Sequence, residues 1–243
     1  MAIGGGVRLL SLDFASSFMW VWSGVLIKMA AYSLVAGLGP HEEFKREIVK
    51  CAVSILNLFF FSYLGKLTDG ASCNPLTLLP TAISGDFPQF LFNFGARIPA
   101  QVIGSIIGVR LILETFPGIG HLYRLNVDIH QGALTEGLIA FAIVIVSLGL
   151  TRNMPGSFYR KTWISSVSKL ALQVLGSDLT GGCANPATAI GWAYARGDHL
   201  TKAHILVYWL APVVTTVLAG WTFKLVFRPR QGEKPNMKNE KSD

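Results

Sequence analysis

Charge is scarce in this chain: Asp, Glu, Lys and Arg make up 14% of its 243 residues, against about 25% in an ordinary soluble domain. The deficit is concentrated in apolar runs that recur from end to end. That pattern disfavours a large soluble enzyme around one buried core and makes lipid the expected solvent. Cysteine is scarce too. Cys51, Cys73 and Cys183 are the three present. They show no Cys-x-x-Cys spacing and no His partner suited to zinc, so neither a disulfide framework nor a metal site is expected. The five histidines (His41, His121, His130, His199, His204) fall in loops or at helix ends. No Ser-His-Asp or paired-carboxylate arrangement accompanies them, so the expectation is no enzyme and no cofactor. There is no Asn-x-Ser/Thr glycosylation acceptor. The opening residues lack an apolar stretch followed by a small-residue cleavage site. The first spanning helix is therefore expected to serve as the targeting signal.

The net charge is +7. Its placement in short loops and the tail, between lipid-length apolar segments, argues against a nucleic-acid partner and for topology setting by Lys and Arg. A helix needs ~20 mostly apolar residues to cross the hydrocarbon core. Six segments qualify: 14–36, 48–67, 90–113, 133–150, 163–178 and 203–227. The fifth is short and contains Lys169. Residues 151–162 hold Arg152, Arg160 and Lys161 and no acid, and the tail 228–243 has five bases against three acids. The connections 37–47 and 114–131 are not basic in excess. The positive-inside rule then puts 151–162 and both termini in the cytoplasm, as an even number of spans requires. The polar tail 228–243 is expected to be disordered and basic, behind a single membrane-spanning domain over 1–227.

The two halves resemble each other, at about 1–115 and 130–227. Each opens with an acid near the start of its first helix, Asp13 and Glu136. Each places a Gly-containing segment with Asn-Pro between its second and third helices, DGASCNPLT (69–77) and GGCANPATA (181–189). Three spans per half is an odd number, so the second copy inserts upside down. The two Asn-Pro segments enter from opposite faces and meet near the midplane. Each is predicted to be a short helix of roughly two to three turns, with Asn as N-cap and Pro at N1. The fold class is an all-α membrane protein with six transmembrane helices plus two re-entrant half-helices in an inverted repeat. Irregular backbone at membrane depth is tolerated where it is buried or lines a water-filled cavity. Two half-helices meeting end to end therefore imply a pore, whose positive dipole ends and Asn amides accept a neutral hydrogen-bonding molecule and oppose cations.

With these motifs the chain resembles the major intrinsic protein (aquaporin) superfamily over essentially its whole length. Tyr208-Trp209-Leu210-Ala211-Pro212 resembles the family's sixth-helix motif Tyr-Trp-x-Gly-Pro. Ala100-Gln101 with Gly104 and Ser105 resembles its third-helix stretch. Asp13 and Glu136 sit where the family keeps a buried Glu. The chain is most similar to the small basic intrinsic proteins of plants, second subgroup. The resemblance implies an endoplasmic reticulum membrane and a homotetramer with one pore per subunit.

The pore motifs are Asn74, Pro75 and Leu76, and Asn185, Pro186 and Ala187. Leu76 departs from the usual Ala. The resemblance places an outer constriction at Ser54, Gln173, Gly182 and Thr188. Water-selective members usually have an aromatic, a His and an Arg at the first, second and fourth of these. Their absence implies a wider, less electropositive filter. Asp13 and Glu136 are expected to face the bundle interior and accept hydrogen bonds from the loops, Glu136 the more deeply buried and Asp13 near the membrane surface. Proton relay is the sharper alternative. Arg97, Lys28 and Lys169 are read as snorkelling or intersubunit groups. Gly104 and Gly108 permit close helix approach. Cys183 is the expected target of a blocking thiol reagent. The function read from these residues is passive conduction of water or another small neutral solute across a bilayer. An ion- or proton-coupled transporter and a non-conducting scaffold stand as alternatives.

Overall fold

The computed structural model describes residues 3–37, 39, 41–84, 86–120 and 122–227. His121 and the tail 228–243 lie outside them. Among the described residues there are helices and no strands. The long helices are α1 (Ile3–Val35), α2 (Glu42–Leu67), α4 (Phe87–Thr115), α5 (Ile129–Asn153), α6 (Phe158–Thr180) and α8 (Lys202–Val226). Two short ones, α3 (Pro75–Ser84) and α7 (Pro186–Arg196), are the re-entrant half-helices.

Five of the long helices are apolar enough to cross a membrane by length and composition. Their exposed residues are large and apolar, among them Leu56, Phe60, Ile103, Leu134, Leu138 and Trp221, as a lipid-facing surface requires. The exception is α6, interrupted by Arg160, Lys161, Lys169 and Asp178. It is nevertheless 23 residues long and packs between α2 and α5. Arg152, at the end of α5, donates to the Phe227 carbonyl at 2.7 Å. This contact ties the α5–α6 connection to the end of α8 and defines one face of the molecule, called here the terminal face.

Both third helices of the repeat contain a π turn followed by proline. In α4 the π turn is Asn93–Arg97, ahead of Pro99; in α8 it is Leu206–Leu210, ahead of Pro212. Proline lacks an N–H and its ring crowds the carbonyl one turn back. A wider turn at that place lets the helix continue past the ring.

The halves interlock. The first half-helix, α3, packs on α8, and the second, α7, packs on α4. Glycines permit close backbone approach within the first half and between the halves. A Cβ at Gly104 would collide with the Phe14 carbonyl of α1, and one at Gly191 of α7 would come within 2.9 Å of the Ser105 carbonyl of α4.

Two buried carboxylates hold the chain where it turns inside the bundle. Glu136 Oε1 accepts from the Cys183 N–H (2.9 Å) and the Thr180 hydroxyl (2.7 Å), and Oε2 accepts from the Ala184 N–H (2.9 Å). Asp13 Oδ1 accepts from the Ser72 N–H at 2.7 Å. It also forms a bidentate pair with Arg97, Nε to Oδ2 at 2.6 Å and Nη2 to Oδ1 at 2.9 Å. Arg97 Nη2 further donates to the Gly70 carbonyl at 2.6 Å.

These contacts correct three expectations. Asp13 is not near the surface: it is 0% exposed. Arg97 does not snorkel; it is buried against Asp13. The first helix starts at Ile3 rather than at 14. Asp13 looked like a boundary because an isolated acid is costly in lipid, but Arg97 neutralises it and the helix runs through.

Removing one member of a buried pair strands the other charge, at about 3–5 kcal/mol. Arg97→Leu is therefore expected to lower the thermal unfolding midpoint of the detergent-solubilised protein markedly. Adding Asp13→Leu to Arg97→Leu should recover part of the loss, but not all, since the Ser72 N–H stays orphaned. A midpoint unchanged by Arg97→Leu contradicts the anchoring role.

Candidate functional site

Each half-helix is opened by its own asparagine. Asn185 is the N-cap of α7; its Oδ1 accepts from the Ala187 N–H (3.1 Å) and the Thr188 N–H (3.3 Å). Asn74 Oδ1 accepts from the Leu76 N–H at 3.0 Å at the start of α3. Pro75 and Pro186 follow at the first helical position, where a missing N–H leaves no gap in the ladder.

The two asparagines also bind each other's loops. Asn74 Nδ2 donates to the Ala184 carbonyl at 2.8 Å, and Asn185 Nδ2 donates to the Cys73 carbonyl at 3.0 Å. Each bond runs to the residue just before the other asparagine, so the pairing is reciprocal. A primary amide carries two N–H donors. One of each is used across the loops and one remains.

The second loop is held from several sides. Tyr208 of α8 donates its hydroxyl to the Thr180 carbonyl at 2.7 Å. The Asn126 N–H donates to the Leu179 carbonyl at 2.9 Å, and Asn126 Nδ2 to the Asp178 carbonyl at 3.0 Å. Gly182 has φ +57°, and a Cβ there would run into the Gln173 carbonyl. A side chain is excluded twice, by backbone conformation and by space.

A cavity of about 620 Å³ runs from the asparagines toward the terminal face. Asn74, Asn185, Leu76, Cys73 and Cys183 line its inner end. Gln173 and Lys169 of α6 line its side, with Leu9, Gln89 and Leu148 farther out. Leu76 also clusters with Leu79 of α3 and Ala140 of α5, with Val213 of α8 against them.

The four positions assigned to the outer constriction are not equivalent here. Gln173 lines the cavity and donates through Nε2 to the Cys183 carbonyl at 3.3 Å. Gly182 lies directly against Gln173. Thr188 is buried, its hydroxyl without a hydrogen-bond partner, on the stripe of α7 that also carries Gly191 and Trp192. Ser54 is half-buried on α2 and outside the cavity lining.

Two side chains sit differently from their sequence reading. Lys169 faces the cavity instead of the surface. Cys183 is 3% exposed, with its thiol donating to the Asn185 carbonyl at 3.3 Å. Cys73, half-buried on the same wall, is the more accessible thiol. Among the described residues, no group of three or more His, Cys, Asp or Glu side chains is arranged to hold a metal ion. Thr180 and Ser72, which complete the carboxylate anchors, carried no sequence signal beyond their place just before each motif.

Comparison with known proteins agrees with this architecture. The family described as Major intrinsic protein matches residues 7–223. The chain is 52% identical to the probable aquaporin SIP2-1 of Arabidopsis thaliana over 238 residues, covering 97% of this chain and 100% of that protein. It is 47% identical to aquaporin SIP2-1 of Oryza sativa subsp. japonica, covering 91% of this chain and 88% of that protein. Among solved structures, the aquaglyceroporin from Plasmodium falciparum superposes with a TM-score of 0.70 over 91% of this chain and 96% of that one, at 17% identity; at that identity the likeness shows the fold. The chain belongs to the major intrinsic protein family, the multi-pass membrane channels for water or other small solutes, and within it groups with the plant small basic intrinsic proteins of the second subgroup.

Proposed function

We propose that solute passes between α3 and α7, at the point where Asn74 and Asn185 face each other, and that the permeant is water or a small neutral solute moving down its gradient. The reciprocal bonding of the two asparagines carries this reading. Each amide spends one N–H on the opposite loop, which fixes its orientation, and keeps one N–H for a passing acceptor. The N-termini of α3 and α7 converge there with the same dipole sign. A neutral molecule that accepts hydrogen bonds is favoured over a cation.

Beyond the asparagines, Gln173, Gly182, Thr188 and Ser54 are proposed to shape the outer constriction. None carries a charge and none is aromatic. The narrow point then discriminates by size and hydrogen bonding, with room for solutes larger than water. The termini are proposed to lie in the cytoplasm, on the argument from the basic 151–162 connection and tail. An endoplasmic reticulum membrane and a homotetramer are proposed on family likeness, with 1–227 as a single channel domain.

Stopped-flow shrinkage of proteoliposomes with water, glycerol, urea and hydrogen peroxide tests the reading. Wild-type vesicles should exceed empty ones for at least one of these. Asn185→Ala should cut that flux by roughly tenfold or more, since it removes both the pore donor and the cap of α7. Flux that survives Asn185→Ala in correctly folded protein rules out this route.

Modification of Cys73 offers a second check. Its thiol lies on the cavity wall beside Asn74, so a bulky maleimide attached there should block most of the flux. Cys73→Ser should conduct and resist the reagent. Full flux after verified labelling at Cys73 would place the route elsewhere.

A further inference from the structure

The walls of the terminal-face cavity bring together a small set of charged groups, and their balance is uneven. Asp69, Arg97 and Lys169 line it. Arg97 is matched by its bidentate pair with Asp13, so the two contribute little net field. Asp69 is exposed on the entry turn before the first loop, where water screens it. Lys169 is different. It is half-buried, about 16 Å along α6 from Phe158 by the helical rise. That is too far for its four-carbon stem to reach the terminal surface. It lies one turn before Gln173 on the same stripe of α6, and Gln173 touches the second loop. Lys169 shares the cavity lining with Cys73. Among the described residues, no carboxylate forms an ion pair with it.

We propose that Lys169 sets the charge selectivity of the conduit, acting from the terminal-face side of the Asn74–Asn185 pair rather than from the outer constriction. The inference rests on the central conduit proposed above. An unmatched cation inside a membrane protein is costly and is found where it faces water or a functional path. Apolar walls such as Leu58, Phe61, Ile143 and Val144 keep the local dielectric low and focus its field along the cavity. The converging N-termini of α3 and α7 add the same sign. The vestibule therefore repels small cations before they reach the asparagines and draws anionic solutes into its mouth. Thr188, uncharged and buried, cannot supply this barrier.

The test reads the potential at Cys73, independently of conduction. Purified protein in detergent is treated with two methanethiosulfonates of similar size, one bearing a sulfonate and one a trimethylammonium group. The Cys73 sulfur forms a mixed disulfide and methanesulfinate leaves; the rate is followed by mass spectrometry of the peptide containing Cys73. The ratio of the two rates, divided by that for free cysteine, cancels the reactivity of the thiol itself. In wild type the anionic reagent should be favoured by roughly tenfold or more. Lys169→Gln should abolish the preference, Lys169→Glu reverse it, and Lys169→Arg retain it. In proteoliposomes, Lys169→Glu should raise the potassium leak by roughly tenfold or more, while wild type and Lys169→Arg stay tight. A wild-type ratio equal to that of free cysteine, or a Lys169→Glu leak no larger than wild type, overturns the proposal. Wild-type vesicles that pass no solute, beside an intact labelling preference that depends on Lys169, count against the conduction reading and leave the charge assignment of the vestibule standing.

Discussion

A chain that reverses direction inside a bilayer exposes backbone donors where no lipid can satisfy them. This protein does so twice, and a buried carboxylate answers each time. Glu136 takes three donors from the second loop, two of them backbone N–H groups. Asp13, one methylene shorter, takes one N–H from the first loop and is completed by Arg97, which also holds the Gly70 carbonyl. The anchors differ in charge. The first is a matched ion pair; the second is a carboxylate held by neutral donors alone. Remove either and the short helix it steadies loses its fixed position.

The rest of the architecture follows from where those helices have to end. Each is seated on the last long helix of the other half, so neither half can form its part of the site alone. Close seating of α7 on α4 requires glycine at Gly191, where a side chain would meet the Ser105 backbone. With the loops fixed, Asn74 and Asn185 fall within reach of each other's carbonyls and lock one another's amide planes. The order of dependence runs from carboxylates to loops, from loops to half-helices, and from half-helices to the asparagine pair.

Electrostatics divides along the same axis. The midpoint is made of dipoles and neutral amides, the outer positions hold no charge, and the terminal-face vestibule holds a lone ammonium. On the route proposed above, selection by size at the outer positions is separated in space from selection by sign at Lys169.

Much of this was legible in the sequence. Apolar runs of membrane length, an odd number of them per half, and two Asn-Pro segments in equivalent places determine an inverted repeat with two short helices meeting inside it, because hydrophobic length and capping chemistry are local properties. Asp13 and Glu136 stood out because an acid in an apolar run requires a partner. The partners themselves did not. Arg97 is 84 positions from Asp13 and Thr180 is 44 from Glu136, and no periodicity links residues on different helices. Lys169 read as a surface group because composition gives charge without direction; only the rotation of α6 against α2 and α5 turns it toward the cavity. The positions assigned to the outer constriction were fixed by counting from the asparagines, while packing decided that Gln173 lines the cavity and that Thr188 is buried. Sequence determined the membrane fold and the capping chemistry of the two asparagines, because hydrophobic length and capping are local; tertiary packing decided which charges are matched and which one faces the cavity, because those depend on contacts between distant helices.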